Sequence, residues 1–338
     1  MAFPSIDEVS KSPAFPAAIW KLQPHQHGVL PVAADRGGPL NISWEVHGEG
    51  PIKLILIGGI SLTKADWQQQ TLYFGHERGD KYSVLVFDNR GAGESDKPLM
   101  RYSTSEMARD MLEVLDHLGW TEGRQLHVSG GSMGGMIAQE LALLIPDRIA
   151  SLNLHCTAAK LESNGTLAET MGRLGALLPR SLEAEIRATA TGCFPEDWLL
   201  APDEARLPGE DTPKCEVPAG GYARFESNYA RFAAQEKHMR RGKNGFLLQA
   251  VAGAFHRKSP EQLRDMAERV GRERIMVLHG TADRMIPVDH GRKLIGYINP
   301  GKGLIQEGLG HAPIQQTTRW FNELLKERCA LGERLSGR

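Results

Sequence analysis

This chain lacks an excess of either positive or negative charge. Its 40 Lys and Arg stand against 41 Asp and Glu over 338 residues, a formal net charge of −1. No strong field follows, so nucleic acid and anionic membrane surfaces are not default partners. Cysteine is scarce: Cys156, Cys193, Cys215 and Cys329, with no Cys-x-x-Cys pair among them. Reduced thiols are expected, with a Cys193–Cys215 bridge as the unsupported alternative. No apolar run approaches the roughly 20 residues that cross a bilayer, so no integral membrane association is expected. Residues 1–20 carry Pro4, Pro13 and Pro16 and lack both a basic region and a continuous apolar stretch. They do not read as a signal peptide, and a cytoplasmic location is expected. Asn41-Ile42-Ser43 and Asn164-Gly165-Thr166 then match the glycosylation pattern by coincidence. A Walker loop, a dinucleotide fingerprint after a strand and a His-Glu-x-x-His pair are all absent, as are internal repeats. No metal and no organic cofactor is expected.

What is present is ordinary globular material, 41% hydrophobic and 24% charged, enough for one large core or two modest ones. Residues 1–27 are rich in proline and polar residues and are expected to wrap the surface or fray. Residues 29–33 and 41–46 look like a hairpin across the turn Asp35-Arg36-Gly37-Gly38-Pro39. Nearly continuous apolar runs at 52–57, 82–87, 149–154 and 274–279 predict buried strands, with shorter ones at 126–128 and 303–306. Helical patterns fall between them, at 64–76, 105–118, 136–144, 290–297 and 313–328. Strand and helix alternate, which implies a mainly parallel sheet with right-handed crossovers. One block breaks the alternation. Residues 158–253 carry amphipathic helical segments at 167–178, 182–190, 223–240 and 246–255 without a buried strand, and read as an insertion over the sheet's C-terminal edge.

The stretch from Leu126 to Glu140 is strand, glycine-rich turn, helix, with Ser132 at the apex. Gly130-Gly131-Ser132-Met133-Gly134 fits Gly-x-Ser-x-Gly, the spacing of a nucleophile elbow. So tight a turn strains the serine and leaves no room for side chains two residues away. It also sets the serine oxygen at a helix N-terminus, where free N–H groups favour negative charge. A serine hydroxyl needs a base, and the base an orienting acid. Of 12 histidines, His311 in Gly308-Leu309-Gly310-His311-Ala312-Pro313 is the informative one. It lies in a glycine-rich loop between the last short strand and the last helix. The acid is expected at Asp283, in His279-Gly280-Thr281-Ala282-Asp283, with Asp289 as runner-up. The order Ser132, Asp283, His311 leaves room for a strand and the insertion, then for one helix and one strand.

The chain from Gly28 to Arg328 resembles the α/β-hydrolase superfamily in its capped branch. Four places carry the resemblance: the turn at Ser132, the loop Asp88-x-Arg90-Gly91-x-Gly93-x-Ser95, the turn Gly280-x-x-Asp283, and Gly310-His311. It implies an α/β fold with a mainly parallel eight-stranded sheet flanked by helices. The core would be 28–157 with 254–330, the helical cap or lid 158–253, and 1–27 an N-terminal extension. It also implies an oxyanion hole from the backbone N–H groups of Ile60 and Met133. Many relatives carry His-Gly-x where this chain has Gly58-Gly59-Ile60, so a loop-bracing side chain is missing. Haloalkane dehalogenases and epoxide hydrolases of this fold carry aspartate at the elbow, which Ser132 argues against. The elbow is also similar to those of homoserine O-acetyltransferases and cofactor-free haloperoxidases.

The expected activity is that of a serine hydrolase acting on a carboxylic ester, thioester or lactone of a small, fairly apolar molecule through an acyl-enzyme. The alternatives are acyl transfer, carbon–carbon bond hydrolysis or another biosynthetic step with the same triad, and a hydrolase-fold small-molecule receptor. Substrate contacts are sought at Met285 and Ile286 beside the acid, and at Phe225 and Tyr229. With Phe232, those two aromatics fall at helical spacing that serves core packing equally well. Arg240-Arg241-Gly242-Lys243 reads as a solvated helix end. The sequence leaves the oligomeric state open.

Overall fold

The computed structural model describes residues 3–162, 181–239 and 243–338. The segment expected to be helical at 167–178 and the residues 240–242 of the basic run lie outside them. Eight strands form one sheet: β1 (Gln26–Val32), β2 (Leu40–His47), β3 (Ile52–Ile57), β4 (Tyr82–Phe87), β5 (Leu126–Gly131), β6 (Ile149–His155), β7 (Ile275–Gly280) and β8 (Lys302–Gln306). Their order is β1-β2-β4-β3-β5-β6-β7-β8. β2 pairs antiparallel with β1 and β4, and every pairing from β4 to β8 is parallel.

Continuous apolar runs make strands here because both faces of the sheet are covered. Alternate side chains go to opposite cores. Ile55, Ile57, Leu85, Phe87, Ile275 and Val277 join one cluster, and Leu54, Leu56, Val84, Val86, Met276 and Leu278 the other. The first face is covered by α2 (Thr104–His117) and α3 (Met133–Leu144), and by two helices after the insertion. The second is covered by Trp67, Tyr73 and Phe74 and by the C-terminal helix Thr318–Leu335. The segment expected as one helix at 64–76 is continuous but changes pitch, from a 3-10 turn at Lys64–Trp67 to a π-helical stretch at Thr71–His76.

Between β6 and β7 the described residues hold α4 (Leu182–Cys193), α5 (Glu196–Leu200), α6 (Asn228–Met239) and α7 (Lys243–Ala254), followed by α8 (Pro260–Val270) on the sheet. α6 starts later than its periodicity predicts. The buried Asp203 carboxylate accepts the Phe225 N–H at 3.3 Å and binds Arg231 at 2.9 Å, which holds the preceding residues out of the helix. The N-terminal stretch does not fray. A capping box between Ser5 and Glu8 starts α1 (Ile6–Val9), and Ile6, Val9, Ala14 and Ala18 pack with Ile186, Phe194, Tyr229 and Phe232 in the core of the insertion. All four cysteines are free thiols. No helix among the described residues is long and apolar enough to cross a membrane.

Two predictions follow from this packing. Ile6→Ala removes buried volume beneath the insertion and is expected to lower stability by about 2–3 kcal/mol, against about 1 kcal/mol for Ile6→Val, in urea unfolding. The second concerns His155, at the end of β6, which is enclosed by Trp67 and Phe321 at ring distances of 6.3 and 5.0 Å. Neither ring nitrogen has a hydrogen-bond partner, and burial, reinforced by the nearby His311 and His279, pushes its pKa from 6.5 down to about 3. The unfolded chain therefore binds the proton first as pH falls. The stability contribution is complete above 6.5 and is lost toward 3, at up to about 1.4 kcal/mol per pH unit. His155→Leu is expected to flatten the fall in unfolding midpoint below neutrality; an unchanged slope would remove His155 as its source.

Candidate active site

Strand order reverses between β4 and β5, which lie on opposite sides of β3. Open parallel sheets bind ligands at the carboxyl ends of strands beside such a switch point. β3 ends there in Gly58-Gly59-Ile60 and β5 in Ser132. Ser132 has φ 55° and ψ −127°, a region side chains avoid and whose occupancy costs about 1–3 kcal/mol. Close packing enforces it. A Cβ on Gly134 would stand 2.1 Å from the Ile57 carbonyl oxygen. Ser132 donates its N–H to the His155 carbonyl at 3.1 Å and accepts from Thr157 Oγ1 at 2.7 Å. Its hydroxyl makes no capping bond to α3, although Ser132 occupies the N-cap position. The β3 loop passes against it, since a Cβ on Gly59 would lie 3.1 Å from Ser132 Cβ and 3.6 Å from its Oγ.

β8 is the edge strand, three places from β5, yet its loop folds back over the sheet. Ala282 N–H donates to the Leu309 carbonyl at 3.0 Å, and Cys156 Sγ lies 3.5 Å from the Gly310 carbonyl. Cys156 stands between the two residues that hold Ser132. Gly310-His311 is thereby brought back to β6, the strand next to β5. His311 Nδ1 donates to Asp283 Oδ2 at 2.8 Å. A carboxylate only accepts, so the pair sets the tautomer and leaves Nε2 of neutral His311 as an acceptor.

Asp283 is almost wholly buried. Burial opposes its charge, but His279, His311 and the Ile286 N–H together hold its carboxyl well below the usual carboxylate range. Oδ1 accepts the N–H groups of Met285 and Ile286, each at 2.9 Å. His279 Nε2 lies 2.8 Å from the Ile286 carbonyl and 3.2 Å from Asp283 Oδ2, so it donates to both. The Cys156 thiol is raised well above its ordinary value by burial and then by the Asp283 charge. It stays protonated, and a protonated thiol is a poor nucleophile. The runner-up acid Asp289 pairs with exposed Arg292 at 2.9 Å.

The loop Asp88–Ser95 braces this rim. Asp88 accepts the Lys64 and Glu94 N–H groups, each at 2.8 Å. Arg90, fully buried, forks onto Asp110 at 2.6 and 2.7 Å. The insertion reaches both halves of the site. The Cys193 carbonyl at the end of α4 accepts the His311 N–H at 2.7 Å, and Gln249 of α7 accepts the Ser61 N–H at 2.7 Å.

Met285 is half-exposed and approaches Gly192 of α4, whereas Ile286 is buried with Met136 and Ala158. Phe225 and Tyr229 are buried in the insertion core, Tyr229 stacked on Phe3 at 4.3 Å, in a cluster that borders Cys193 and Ala312 beside His311. His279, Cys156 and Gln249 were not picked out by sequence reasoning. Gln249 has a signal, a lone polar residue in the apolar run Phe246-Leu247-Leu248-Gln249-Ala250-Val251-Ala252. Among the described residues no group of three or more His, Cys, Asp or Glu side chains could hold a metal ion.

Comparison with known proteins places these features in a family. The chain is 31% identical over 187 residues to the protein named "Putative carbamate hydrolase RutD" of Azorhizobium caulinodans, covering 52% of this chain and 67% of that one. It is 36% identical over 108 residues to 3-oxoadipate enol-lactonase 2 of Acinetobacter baylyi, covering 32% of this chain and only 38% of the lactonase. Among solved structures, a thermophilic esterase from Thermogutta terrifontis superposes with a TM-score of 0.66 at 21% identity, covering 89% of this chain and 97% of the other. A meta-cleavage product hydrolase from Pseudomonas fluorescens does so with 0.64 at 18% identity, covering 91% and 97%. At such identities the structural likeness concerns the fold alone. The family model described as alpha/beta hydrolase fold matches residues 54–314, and the chain belongs to that family.

Proposed function

We propose that this chain is a serine hydrolase that cleaves a carboxylic ester, thioester or lactone of a small, fairly apolar molecule. The observation that carries the reading is the buried Asp283–His311 hydrogen bond at 2.8 Å, at the sheet rim where Ser132 is held in strained backbone geometry. The names of the relatives, a carbamate hydrolase and an enol-lactonase, support hydrolytic chemistry at a carbonyl.

In this mechanism His311 Nε2 takes the proton of Ser132 Oγ as the oxygen attacks the substrate carbonyl. Asp283 orients the imidazole and stabilises the imidazolium, for which its firmly ionised carboxylate suits it. The tetrahedral oxyanion is held by the backbone N–H groups of Met133 and Ile60. The first opens α3, where helix N–H groups are free; the second follows Gly59, whose lack of a side chain lets the loop approach Ser132. Such donors contribute about 10²–10³ in rate. The leaving alcohol or thiol departs with the His311 proton. Water then gives a proton to His311 and attacks the acyl-enzyme; His311 returns that proton to Ser132 Oγ as the acyl–oxygen bond breaks and the acid leaves. The helices between β6 and β7 act as a cap that limits substrate size, with Met285 on its inner margin.

The test is kinetic. Ser132→Ala is expected to retain the fold and lose about 10⁴–10⁶ in kcat on p-nitrophenyl esters, and Asp283→Asn to lose about 10⁴. A fluorophosphonate should label Ser132 and no other residue. Near wild-type turnover in Ser132→Ala would overturn the mechanism. Product analysis with water and alcohols as competing acceptors separates hydrolysis from acyl transfer.

A further inference from the structure

The helix α7 presents one side to the body of the protein at every fourth residue: Gly245, Gln249 and Gly253. This is one face of a helix. At Gly245 the backbones nearly touch, since a Cβ there would stand 1.8 Å from the Gly91 carbonyl oxygen. At Gly253 a Cβ would lie 3.9 Å from both Ile60 Cδ1 and Met133 Cγ, side chains of the two proposed oxyanion donors. Between them sits Gln249, with none of its surface exposed. Its amide is fully assigned by its partners. Oε1 accepts the Ser61 N–H at 2.7 Å and Nε2 donates to the Arg90 carbonyl at 2.8 Å.

The bond to Ser61 and one from Asn89 bracket the loop that carries the Ile60 N–H, and the bond to Arg90 ties Gln249 to the Asn89 loop. On one side Asn89 Nδ2 donates to the Gly58 carbonyl at 3.2 Å, from the same loop as Arg90. On the other, Gln249 holds Ser61, a non-glycine residue at φ 60°. A left-handed conformation of that kind persists only where its surroundings impose it. The Leu62 N–H closes the turn onto the Gly59 carbonyl at a long 3.3 Å. Gln249 contributes a shorter bond from outside the loop. Arg90 is itself fixed by its two bonds to Asp110, so the anchor is rigid.

We infer that Gln249 is a positioning residue: it holds the turn Gly59–Leu62, and with it the Ile60 N–H, in catalytic register, so that the seating of α7 is transmitted to oxyanion stabilisation. The inference rests on the proposed serine-hydrolase reading. Its consequence is selective, because an oxyanion donor acts on the transition state rather than on substrate binding.

The experiment compares Gln249→Met, Gln249→Glu and Leu247→Ala in the full chain. Methionine keeps the length and removes both bonds. Glutamate can accept from Ser61 and, when protonated, donate to Arg90. Leu247 lies on the exposed side of the same helix. Gln249→Met is expected to lose about 10–100-fold in kcat, in line with a misplacement of order 1 Å, with KM within about twofold. Affinity for a boronic acid, whose tetrahedral adduct occupies the oxyanion site, should fall by the same factor as kcat/KM. Gln249→Glu should recover most of the loss, and Leu247→Ala should match wild type. Unchanged kcat in Gln249→Met overturns the inference, as does a fall in kcat without a fall in boronate affinity. Should Gln249→Met fail to fold, Gln249→Glu decides: a folded Glu variant whose kcat falls without a fall in boronate affinity overturns the inference too. Wild-type protein that is neither labelled at Ser132 by a fluorophosphonate nor active on esters overturns the hydrolase reading and the inference with it. A labelled, active wild type beside an indifferent Gln249→Met overturns the inference alone.

Discussion

Everything at the rim depends on how tightly β5 turns into α3. The chain passes from strand to helix through a single residue, Ser132, at φ 55° and ψ −127°. That conformation is unfavourable by about 1–3 kcal/mol and has to be imposed from outside. The neighbours impose it through crowding. Gly134 faces the end of β3, and the His155 carbonyl and Thr157 hydroxyl hold the Ser132 peptide from β6. The same crowding favours glycine at position 59, where a Cβ would lie 3.1 Å from that of Ser132. Strain in the strand-to-helix turn and closeness of the β3 loop are thus one steric condition, and the proposed nucleophile and one proposed oxyanion donor are its two products.

The second condition is electrostatic. An aspartate as buried as Asp283 would lose its charge unless hydrogen bonds replaced the water it gave up. Four groups do so: two peptide N–H groups, His279 and His311. His279 is the informative member. It comes from β7 itself, one residue before the turn, so the strand that delivers the carboxylate also delivers a donor to it. His311 then meets an acid already ionised, which is what orienting a neutral imidazole and stabilising its protonated form require.

Much of this is legible along the chain. The runs at 52–57 and 82–87 coincide with β3 and β4, because a strand buried on both faces leaves a continuous apolar signature with sharp ends. Ser132, Asp283 and His311 stand out because each follows a strand in a glycine-rich loop. The helix Pro260–Val270 carries a different kind of signal: Ser259-Pro260-Glu261-Gln262 is a capping box with proline in the first turn. The early residues take the wrapping alternative for a reason that composition does not carry. Composition marks 1–27 as polar and proline-rich, but Ile6, Val9, Ala14 and Ala18 are spaced to fill a gap among insertion helices that no local pattern reveals. Gln249 is hidden for the converse reason. Its meaning lies in two peptide groups, at Ser61 and Arg90, that are remote in sequence and have no side-chain signature.

The insertion, proposed as a cap, also bonds directly to the loops of the site. One end of it, the carbonyl of Cys193, takes the N–H of His311; another, the amide of Gln249, takes the N–H of Ser61. These bonds fall on opposite sides of Ser132, one on the His311 loop and one on the loop after β3. Both loops are glycine-rich and short of side chains with which to brace themselves, Gly58-Gly59 on one side and Gly308-Leu309-Gly310 on the other. Glycine lets them approach the serine, and the same absence of side chains leaves their peptide groups to be held by something else. A parallel sheet supplies strand ends and nothing beyond them. Some partners come from outside the insertion: Asn89 donates to the Gly58 carbonyl, and Gln316 bonds the peptide groups of Gly308 and Gly310. The helices inserted after β6 add the Cys193 carbonyl and the Gln249 amide, so the proposed cap is also tied to the loops of the site it is proposed to cover.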